Sequence, residues 1–199
     1  MMASFDPTTT LLVMALKEES QGLFEDSGIK PFYTGIGQVK ATYSVTEAIE
    51  KTRPSSIINL GTAGSFHLNQ GECVECLAFV QRPVLLNRFD KKFVNSSVKS
   101  KKILVPTHLT DLKKVVCGTA DHIQNNADSE NSNSYDIMDM EAYALAYVAD
   151  QKKIPFYSIK YISDNSNNDL VLDWKKNLRN SAEKLLEIYK FIISSQGKS

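Results

Sequence analysis

Three acidic residues, Glu19, Glu141 and Asp164, are the side chains in this sequence best placed to do acid–base chemistry. Each lies next to an apolar run, so each would be carried to the edge of a hydrophobic core. A reaction that passes through a sugar oxocarbenium ion needs an acid for the leaving group and a base that activates water. It also gains from a carboxylate that grips a sugar hydroxyl. Separate carboxylates in unlike environments can differ in protonation, so these three could divide the roles.

Each acid taken singly also has an ordinary structural explanation. Glu19 could be a first-turn helix acid stabilised by the helix dipole. Asp164, which precedes Asn165 and Ser166, could cap a helix or form an Asx turn. Glu141 heads the apolar helical stretch AYALAYV. A buried carboxylate there costs on the order of several kcal/mol to desolvate unless something pairs with it.

Apolar periodicity predicts an alternation of strands and helices. Continuous apolar runs, typical of strands buried on both faces, lie at residues 11–16, 31–36, 56–60, 114–117 and 155–162. Helical spacing extends over residues 38–51, about 139–152 and 172–193, and another helix is expected to begin in 21–26. This order predicts an α/β fold with a largely parallel sheet. We expect one domain over residues 1–199, with residues 1–9 as a disordered tail.

Small or acidic residues follow four of the predicted strands, at 17–19, 61–64, 120–121 and 163–164. The ligand of a parallel sheet lies beyond the carboxyl ends of its strands, so these groups should face one site. Within them, Gly61-Thr62-Ala63-Gly64 offers backbone N–H groups and a hydroxyl to a polar ligand. The stretch lacks the lysine of a phosphate-binding P-loop and the glycine spacing of a dinucleotide fold.

Composition argues against several classes of function. Lys+Arg and Asp+Glu are equal at 23 each, so no basic field attracts nucleic acid or anionic lipid. No apolar run reaches the roughly 20 residues that a membrane span needs, and the N-terminus lacks the order of a signal peptide. The odd count of three cysteines favours a reducing compartment, so we expect a cytoplasmic protein.

Cys73-Val-Glu-Cys76 has the spacing of half a zinc or redox site. A zinc site would need two further ligands at a sensible spacing, and His67, His108 and His122 are scattered. We therefore expect no metal. The scattered histidines do not indicate a Ser-His-Asp grouping either.

Five stretches of the sequence, in order, resemble the purine nucleoside phosphorylase and nucleosidase superfamily. They read VMALKEES, YTGIGQVKATYSVTEAI, IINLGTAGSF, VCGTADHI and MDMEAYALAYVADQKKIPFYSIKYISD. The chain looks most like the bacterial methylthioadenosine/S-adenosylhomocysteine nucleosidases, and the resemblance covers most of it outside residues 72–113. The resemblance implies a nucleoside phosphorylase-like three-layer sandwich around a mostly parallel central sheet. It also implies a purine nucleoside as ligand, no cofactor and a homodimer.

The resemblance further implies roles for individual residues. The water-activating acid of the family matches Glu19, and the acid that protonates the purine ring matches Asp164. Met140 and Glu141 match the pair that holds the ribose, which would explain a carboxylate at the head of an apolar helix. The remaining matches lie beside the base or the anomeric carbon, namely Thr62, Gly64, Ile123, Gln124 and Ser163.

Two positions favour hydrolysis over phosphorolysis within this resemblance. Phosphorylases of the superfamily have an arginine where this sequence has Asn59, and they lack the acid that matches Glu19. The prediction is an N-glycosyl hydrolase that releases adenine from a 5′-modified adenosine of the methylthioadenosine or S-adenosylhomocysteine type. The chain is shorter than the family between about residues 77 and 114, which leaves the 5′ preference open, and three alternatives remain. They are a phosphate-dependent phosphorylase, a futalosine-type hydrolase, and a nucleoside-binding module without turnover.

Overall fold

The structure, a computed structural model, describes residues 6–82, 101–105, 107–122, 134–164 and 170–196. Its elements are β1 (Thr10–Met14), α1 (Lys17–Ser20), α2 (Leu23–Asp26), β2 (Phe32–Tyr33), α3 (Gln38–Thr52), β3 (Ser56–Gly64), β4 (Cys73–Gln81), β5 (Ile103–Leu104), β6 (Lys113–Thr119), β7 (Ile137–Asp139), α4 (Ala142–Lys152), β8 (Phe156–Asp164) and α5 (Leu170–Gln196). Of the expected N-terminal tail, residues 6–9 form a turn in which the N–H of Thr9 donates to the carbonyl of Asp6 at 3.2 Å. Residues 1–5 lie outside the described residues.

The strands form a mixed sheet that closes into a barrel-like ring. Around the ring, β3 pairs in parallel with β8, β8 antiparallel with β4, β4 in parallel with β6, β6 in parallel with β7, and β7 antiparallel with β3. Outside it, β1 and β2 extend the sheet from β3 in parallel, and β5 pairs antiparallel with β4. The prediction of a mostly parallel sheet is therefore wrong.

The mixed character of the sheet begins at the return between β3 and β4. Gly71 occupies the left-handed region at φ 91°, in a turn closed by the N–H of Glu72 and the carbonyl of Asn69 at 3.2 Å. This turn sends β4 back along β8 in the opposite direction. Because β6 and β7 run parallel to β4, the ring contains strands that arrive from both directions. A sequence of alternating strands and helices does not reveal this reversal.

Helices cover the ring on two sides. On one side α3 packs against α4 and buries residues at helical spacing, namely Ala41, Val45, Ala48 and Ile49. On the other side α5 packs on β8 and β3 through Leu185, Tyr189 and Ile192. All nine residues of β8 are buried, as expected for a strand covered on both faces. No helix in the described part of the chain is long and apolar enough to cross a membrane.

Two stretches near the site differ from the predicted elements. Residues 61–64, expected to follow β3 as a turn, belong to β3 and pair with β8, with a bulge between Ala63 and Gly64. Residues 137–139 form β7, whereas a helix was expected to begin at about residue 139; α4 starts only at Ala142. The segment that carries Met140 and Glu141 is thus a strand-to-helix junction.

Candidate active site

One cavity brings together most of the residues that the sequence predicted to act. Its volume of about 310 Å³ lies at the lower end of the range for small-molecule sites, roughly 300–1,000 Å³. The predicted residues that line it are Glu19, Thr62, Gly64, Met140, Glu141, Ser163 and Asp164. Ile123 and Gln124, predicted beside the base, lie outside the described residues.

Glu19 in α1 is held by four hydrogen bonds and is only 5% exposed. Its side chain turns back, so that Oε2 accepts from the backbone N–H groups of Ala15 at 3.2 Å and Leu16 at 3.1 Å. Oε1 accepts from the N–H of Thr62 at 3.1 Å and from its hydroxyl at 3.0 Å. All four partners present a hydrogen, so the carboxyl oxygens of Glu19 are the acceptors in every one of these contacts. A carboxylate fixed in this way can take a proton from a water in the cavity.

Glu141 lies immediately before α4, where its Oε1 accepts from the N–H of Gly37 at 2.8 Å. Burial, followed by the negative charge of Asp139, raises the pKa of Glu141 to about 8, although Lys160 opposes the shift. The carboxyl group is therefore largely protonated at neutral pH. In that form it can donate a hydrogen bond to a ligand hydroxyl as well as accept one.

A buried ion pair lies behind Glu141. Lys160 Nζ in β8 is 2.9 Å from Asp139 Oδ2, and both side chains are almost fully buried. Asp139 also accepts from the hydroxyl of Thr119 at 2.5 Å and from the N–H of Ala142 at 2.8 Å, so it caps α4. Burial raises the pKa of Asp139, but Lys160 and these hydrogen bonds outweigh it and lower the pKa overall. Both partners are therefore charged at neutral pH.

Asp164 ends β8 at the cavity wall and is 8% exposed. Its Oδ2 accepts from the hydroxyl of Ser163 at 2.8 Å, and its carbonyl accepts from the N–H of Ser65 at 3.1 Å. The carbonyl of Ser163 accepts from the side-chain amides of Gln70 at 2.8 Å and Asn177 at 3.0 Å. These contacts hold the backbone at the end of β8 and orient the carboxyl group of Asp164 at the cavity wall.

Two positions on β3 shape the site without lining it. A Cβ at Gly61 would lie 3.3 Å from Glu19 Oε1 and 3.4 Å from Lys160 Nζ, so glycine allows these groups to approach the strand closely. Asn59 is 2% exposed, and its Oδ1 accepts from the hydroxyl of Ser158 at 2.9 Å. Its amide donates to a carbonyl of β1 at 3.4 Å. Asn59 therefore links neighbouring strands.

The cavity is also lined by residues that the sequence reasoning did not single out. They are Ala15, Leu16, Ile36, Ala63, Arg82, His122, Met138, Asp139 and Trp174. The indole N–H of Trp174 donates to Thr62 Oγ1 at 3.1 Å. A signal for Trp174 existed, because it is the only tryptophan and lies ten residues after Asp164. The guanidinium of Arg82 donates to the carbonyl of His122 at 2.9 Å. The sequence offered no signal for Arg82, since only the pairing of β4 with β6 brings Arg82 close to His122.

The chemistry available here is that of separate carboxyl groups. The described residues contain no group of three or more His, Cys, Asp or Glu side chains arranged to hold a metal ion. Glu19, Glu141 and Asp164 each have different partners, so their protonation can differ. A ligand in the cavity could contact Glu19 as a base, Glu141 as a group that binds hydroxyls, and Asp164 at the end of β8 as an acid.

Comparison with known proteins places this geometry in context. The model of the phosphorylase superfamily matches residues 28–194. A 5′-methylthioadenosine/S-adenosylhomocysteine nucleosidase from a Shewanella species is 27% identical over 161 residues, which cover 71% of this chain and 70% of that protein.

Two solved structures from Helicobacter pylori share the fold. A mutant methylthioadenosine/S-adenosylhomocysteine nucleosidase with 5′-methylthioadenosine in its active site gives a TM-score of 0.81 at 19% identity, covering 98% of this chain and 100% of that one. The futalosine hydrolase gives 0.80 at 20% identity, covering 94% and 97%. At this level of identity the likeness establishes a nucleoside phosphorylase-like α/β fold.

Proposed function

This chain belongs to the phosphorylase superfamily, and we propose that it is an N-glycosyl hydrolase acting on a 5′-modified adenosine. The products are free adenine and a ribose derivative, and water is the second substrate. The observation that carries the proposal is the Glu19 carboxylate, fixed by four donors at the wall of a cavity that also presents Glu141 and Asp164.

Asp164 is the general acid of the proposed reaction. It gives its proton to a ring nitrogen of the purine while the bond between that base and C1′ breaks. The bonding electron pair leaves with the base, so adenine departs as a neutral molecule and positive charge develops on the sugar. The hydroxyl of Ser163, 2.8 Å from Oδ2, orients the carboxyl group.

Glu19 is the general base for the second half of the reaction. It takes one proton from water as the water oxygen bonds to C1′, and the other proton stays on the new hydroxyl. The reaction leaves Glu19 protonated and Asp164 ionised, and exchange with solvent restores both. Thr62, which donates to Glu19 through its N–H and its hydroxyl, lies beside the attacking water in this mechanism.

Glu141 binds the ribose hydroxyls, and Met140 packs against the sugar. A carboxyl group whose pKa is raised to about 8 can both donate to one hydroxyl and accept from another. Its hydrogen bonds to the ribose strengthen as positive charge develops on the ring, which stabilises the transition state. Gly64, Ser163, Ile123 and Gln124 are proposed to surround the base.

The residues around Glu19 favour hydrolysis over phosphorolysis, and Arg82, the cation that lines the cavity, donates through its guanidinium to the carbonyl of His122 at 2.9 Å. A phosphorylase needs a cation to hold phosphate near C1′. Asn59 is uncharged and is bonded to neighbouring strands, and it does not line the cavity. Lys160, close to Glu19 behind Gly61, is neutralised by its ion pair with Asp139.

We further propose a homodimer in the cytoplasm. Apolar side chains are exposed on α3, where Val39 is 79% and Tyr43 66% exposed, and on α4, where Tyr147 is 46% exposed, and these two helices pack against each other. Ile36, which lines the cavity and precedes α3, is 47% exposed. Joint burial of these side chains against a second copy would remove this apolar surface from water. All three cysteines are free, which suits a reducing compartment.

A substrate panel tests the proposed function. The purified protein is incubated with adenosine and with adenosines carrying methylthio, homocysteinyl or bulkier 5′ groups, and release of the base is followed with and without phosphate. We expect release without phosphate, with the highest kcat/KM for a 5′-thio substrate. Strict dependence on phosphate would indicate a phosphorylase, and release only from a substrate with a bulky 5′ aromatic group would indicate a futalosine-type hydrolase.

A further inference from the structure

We propose that Trp174 is a positioning residue for Glu19 and acts through the hydroxyl of Thr62. The inference rests on the proposed function, because it gives Trp174 a task in that reaction. Trp174 is the only tryptophan of the chain and lines the cavity. Its indole N–H donates to Thr62 Oγ1 at 3.1 Å, and the same oxygen lies 3.0 Å from Glu19 Oε1.

The bond from Trp174 fixes the direction of the Thr62 hydroxyl. An indole N–H can only donate, so Thr62 Oγ1 must use a lone pair to accept it. The hydroxyl carries a single proton, which is then directed at Glu19 Oε1. The indole, the hydroxyl and the carboxylate form a chain of hydrogen bonds in which each group donates to the next, and Glu19 is the last acceptor. Without the indole N–H the hydroxyl can rotate toward water, and Oε1 then loses one of its donors.

The fold holds Trp174 firmly enough for this role. The helix α5 is anchored on β8 and β3 by buried side chains further along, including Leu185 and Ile192. Asn177, three residues after Trp174 and so on the same helix face, donates to the carbonyl of Ser163 at 3.0 Å. One face of α5 therefore contacts the partner of Glu19 and the neighbour of Asp164.

The alternative is that Trp174 is only an aromatic wall of the cavity. A wall needs the ring and its area, whereas a positioning role needs the N–H. Trp174→Phe keeps an aromatic ring and removes the donor. Thr62→Val removes the hydroxyl at nearly constant shape, and Thr62→Ser keeps it. These three variants, with the double variants that join Trp174→Phe to Thr62→Val and to Thr62→Ser, separate the two explanations.

Nuclear magnetic resonance tests the contact without any need for turnover. Since the chain has one tryptophan, its indole N–H gives one cross-peak in a ¹⁵N–¹H spectrum. Thr62→Val should move the indole proton upfield and speed its exchange with water, while Thr62→Ser should leave the peak near its wild-type position. An indole peak with unchanged position and exchange in Thr62→Val would overturn the proposal.

A double-mutant cycle on turnover tests the role. Trp174→Phe should lower kcat by about 3- to 10-fold, the effect of one ordinary hydrogen bond, with KM within about twofold of wild type. In the Thr62→Val background Trp174→Phe should cause no further loss, whereas in the Thr62→Ser background it should cause the full loss. Thermal unfolding checks that each variant is folded, and Thr62→Ala replaces Thr62→Val if the latter is not.

Equal losses from Trp174→Phe in the wild-type and Thr62→Val backgrounds would overturn the positioning role, as would a rise in KM with unchanged kcat. A wild-type chain that releases no base from any nucleoside would contradict the proposed function, and with it the role of Trp174 in turnover. The indole measurement would still decide whether the contact exists, so the two failures are distinguishable.

Discussion

At the scale of single residues, the three carboxyl groups of the site differ in the groups that surround them. Glu19 accepts four hydrogen bonds, Glu141 accepts from Gly37 beside a buried negative charge, and the hydroxyl of Ser163 is among the partners of Asp164. Donors favour an ionised carboxyl group, and burial or a like charge favours a protonated one. The proposed roles of Glu19 as base and Glu141 as sugar ligand follow these surroundings, and the proposed role of Asp164 as acid follows its place at the cavity wall.

The role of Asp164 predicts a large loss of turnover in Asp164→Asn. An amide cannot give its proton to the leaving base, so kcat should fall by at least ~10²-fold, the usual scale of general acid catalysis. KM should change much less, because the amide still fills the same space. Steady-state release of adenine measures both constants. Near-normal turnover by a folded Asp164→Asn protein would rule out this assignment.

The raised pKa of Glu141 predicts a pH dependence of stability. Its ordinary value of 4.5 applies to the unfolded chain and about 8 to the folded protein, so the folded state binds more protons between these values. The free energy of unfolding therefore gains a contribution that is complete below about pH 4.5 and is lost as pH rises through about 8. At about 1.4 kcal/mol per pKa unit, the change amounts to a few kcal/mol.

Glu141→Gln should abolish this contribution, since glutamine does not titrate. Unfolding curves from pH 5 to pH 9 should show wild type losing stability relative to Glu141→Gln up to about pH 8, with no further divergence above it. Glu18→Gln, at an exposed position, is the control for removal of a charge. Parallel curves for wild type and Glu141→Gln would contradict the raised pKa.

At the scale of elements, the junction between β7 and α4 carries Met140 and Glu141, the proposed ribose-binding pair, and is held in place by Asp139 and Lys160. Asp139 caps α4 and pairs with Lys160 of the central strand β8, so the junction is tied to both neighbours. Two charges buried together are tolerated only as a pair, because either one alone in the core has lost its hydration. Asp139 and Lys160 therefore hold the junction that carries Glu141, and removal of either one would leave the other charge buried and unpaired.

Asp139→Asn should destabilise the protein by about 3–5 kcal/mol, because it leaves the buried ammonium of Lys160 without its counter-charge. Asparagine has one acceptor oxygen where aspartate has two, so it can keep the bond from Thr119 or the bond from Ala142 but not both, and the loss includes that bond as well as the ion pair. Urea unfolding followed by circular dichroism gives the difference. Adding Lys160→Met to Asp139→Asn should recover part of the lost free energy of unfolding. A single-variant loss under about 1 kcal/mol would mean that the pair is not buried as described.

The sequence predicted most elements near the site but not their ends. The apolar run at 56–60 identified β3, yet the strand continues through Gly61, Thr62, Ala63 and Gly64, where small residues show no periodicity and pairing with β8 decides. The strand β7 has three residues and exists because it pairs with β6 and β3. Local pattern could not separate it from the helix that follows.

At the scale of the whole molecule, closure of the sheet assembles the cavity. The sequence reasoning placed the site at one edge of a parallel sheet, and seven predicted residues do line one cavity. The expected reason was wrong, because β6 and β7 run opposite to β3 and β8 and reach the cavity from the other direction. The turn at Gly71 reverses the chain, but the pairing of β4 with β8 and β6 joins residues distant in sequence, and so does the pairing of Lys160 with Asp139.

The exposed apolar side chains on α3 and α4 predict self-association. Light scattering coupled to size exclusion should give twice the chain mass of 22.2 kDa. Val39→Glu with Tyr43→Glu should give the mass of one chain, because two charges would be buried in the interface. Phe191→Glu, at a residue 63% exposed on α5, should remain dimeric. A wild-type protein with the mass of one chain would contradict the proposed dimer.

The most direct test of the account compares wild type with Glu19→Gln in phosphate-free buffer, with methylthioadenosine as substrate and free adenine as the readout. Glutamine fills the same space but cannot take a proton from water. We expect steady release by wild type and a loss of at least ~10²-fold in Glu19→Gln. Release by Glu19→Gln at close to the wild-type rate, or no release by wild type until phosphate is added, would contradict it.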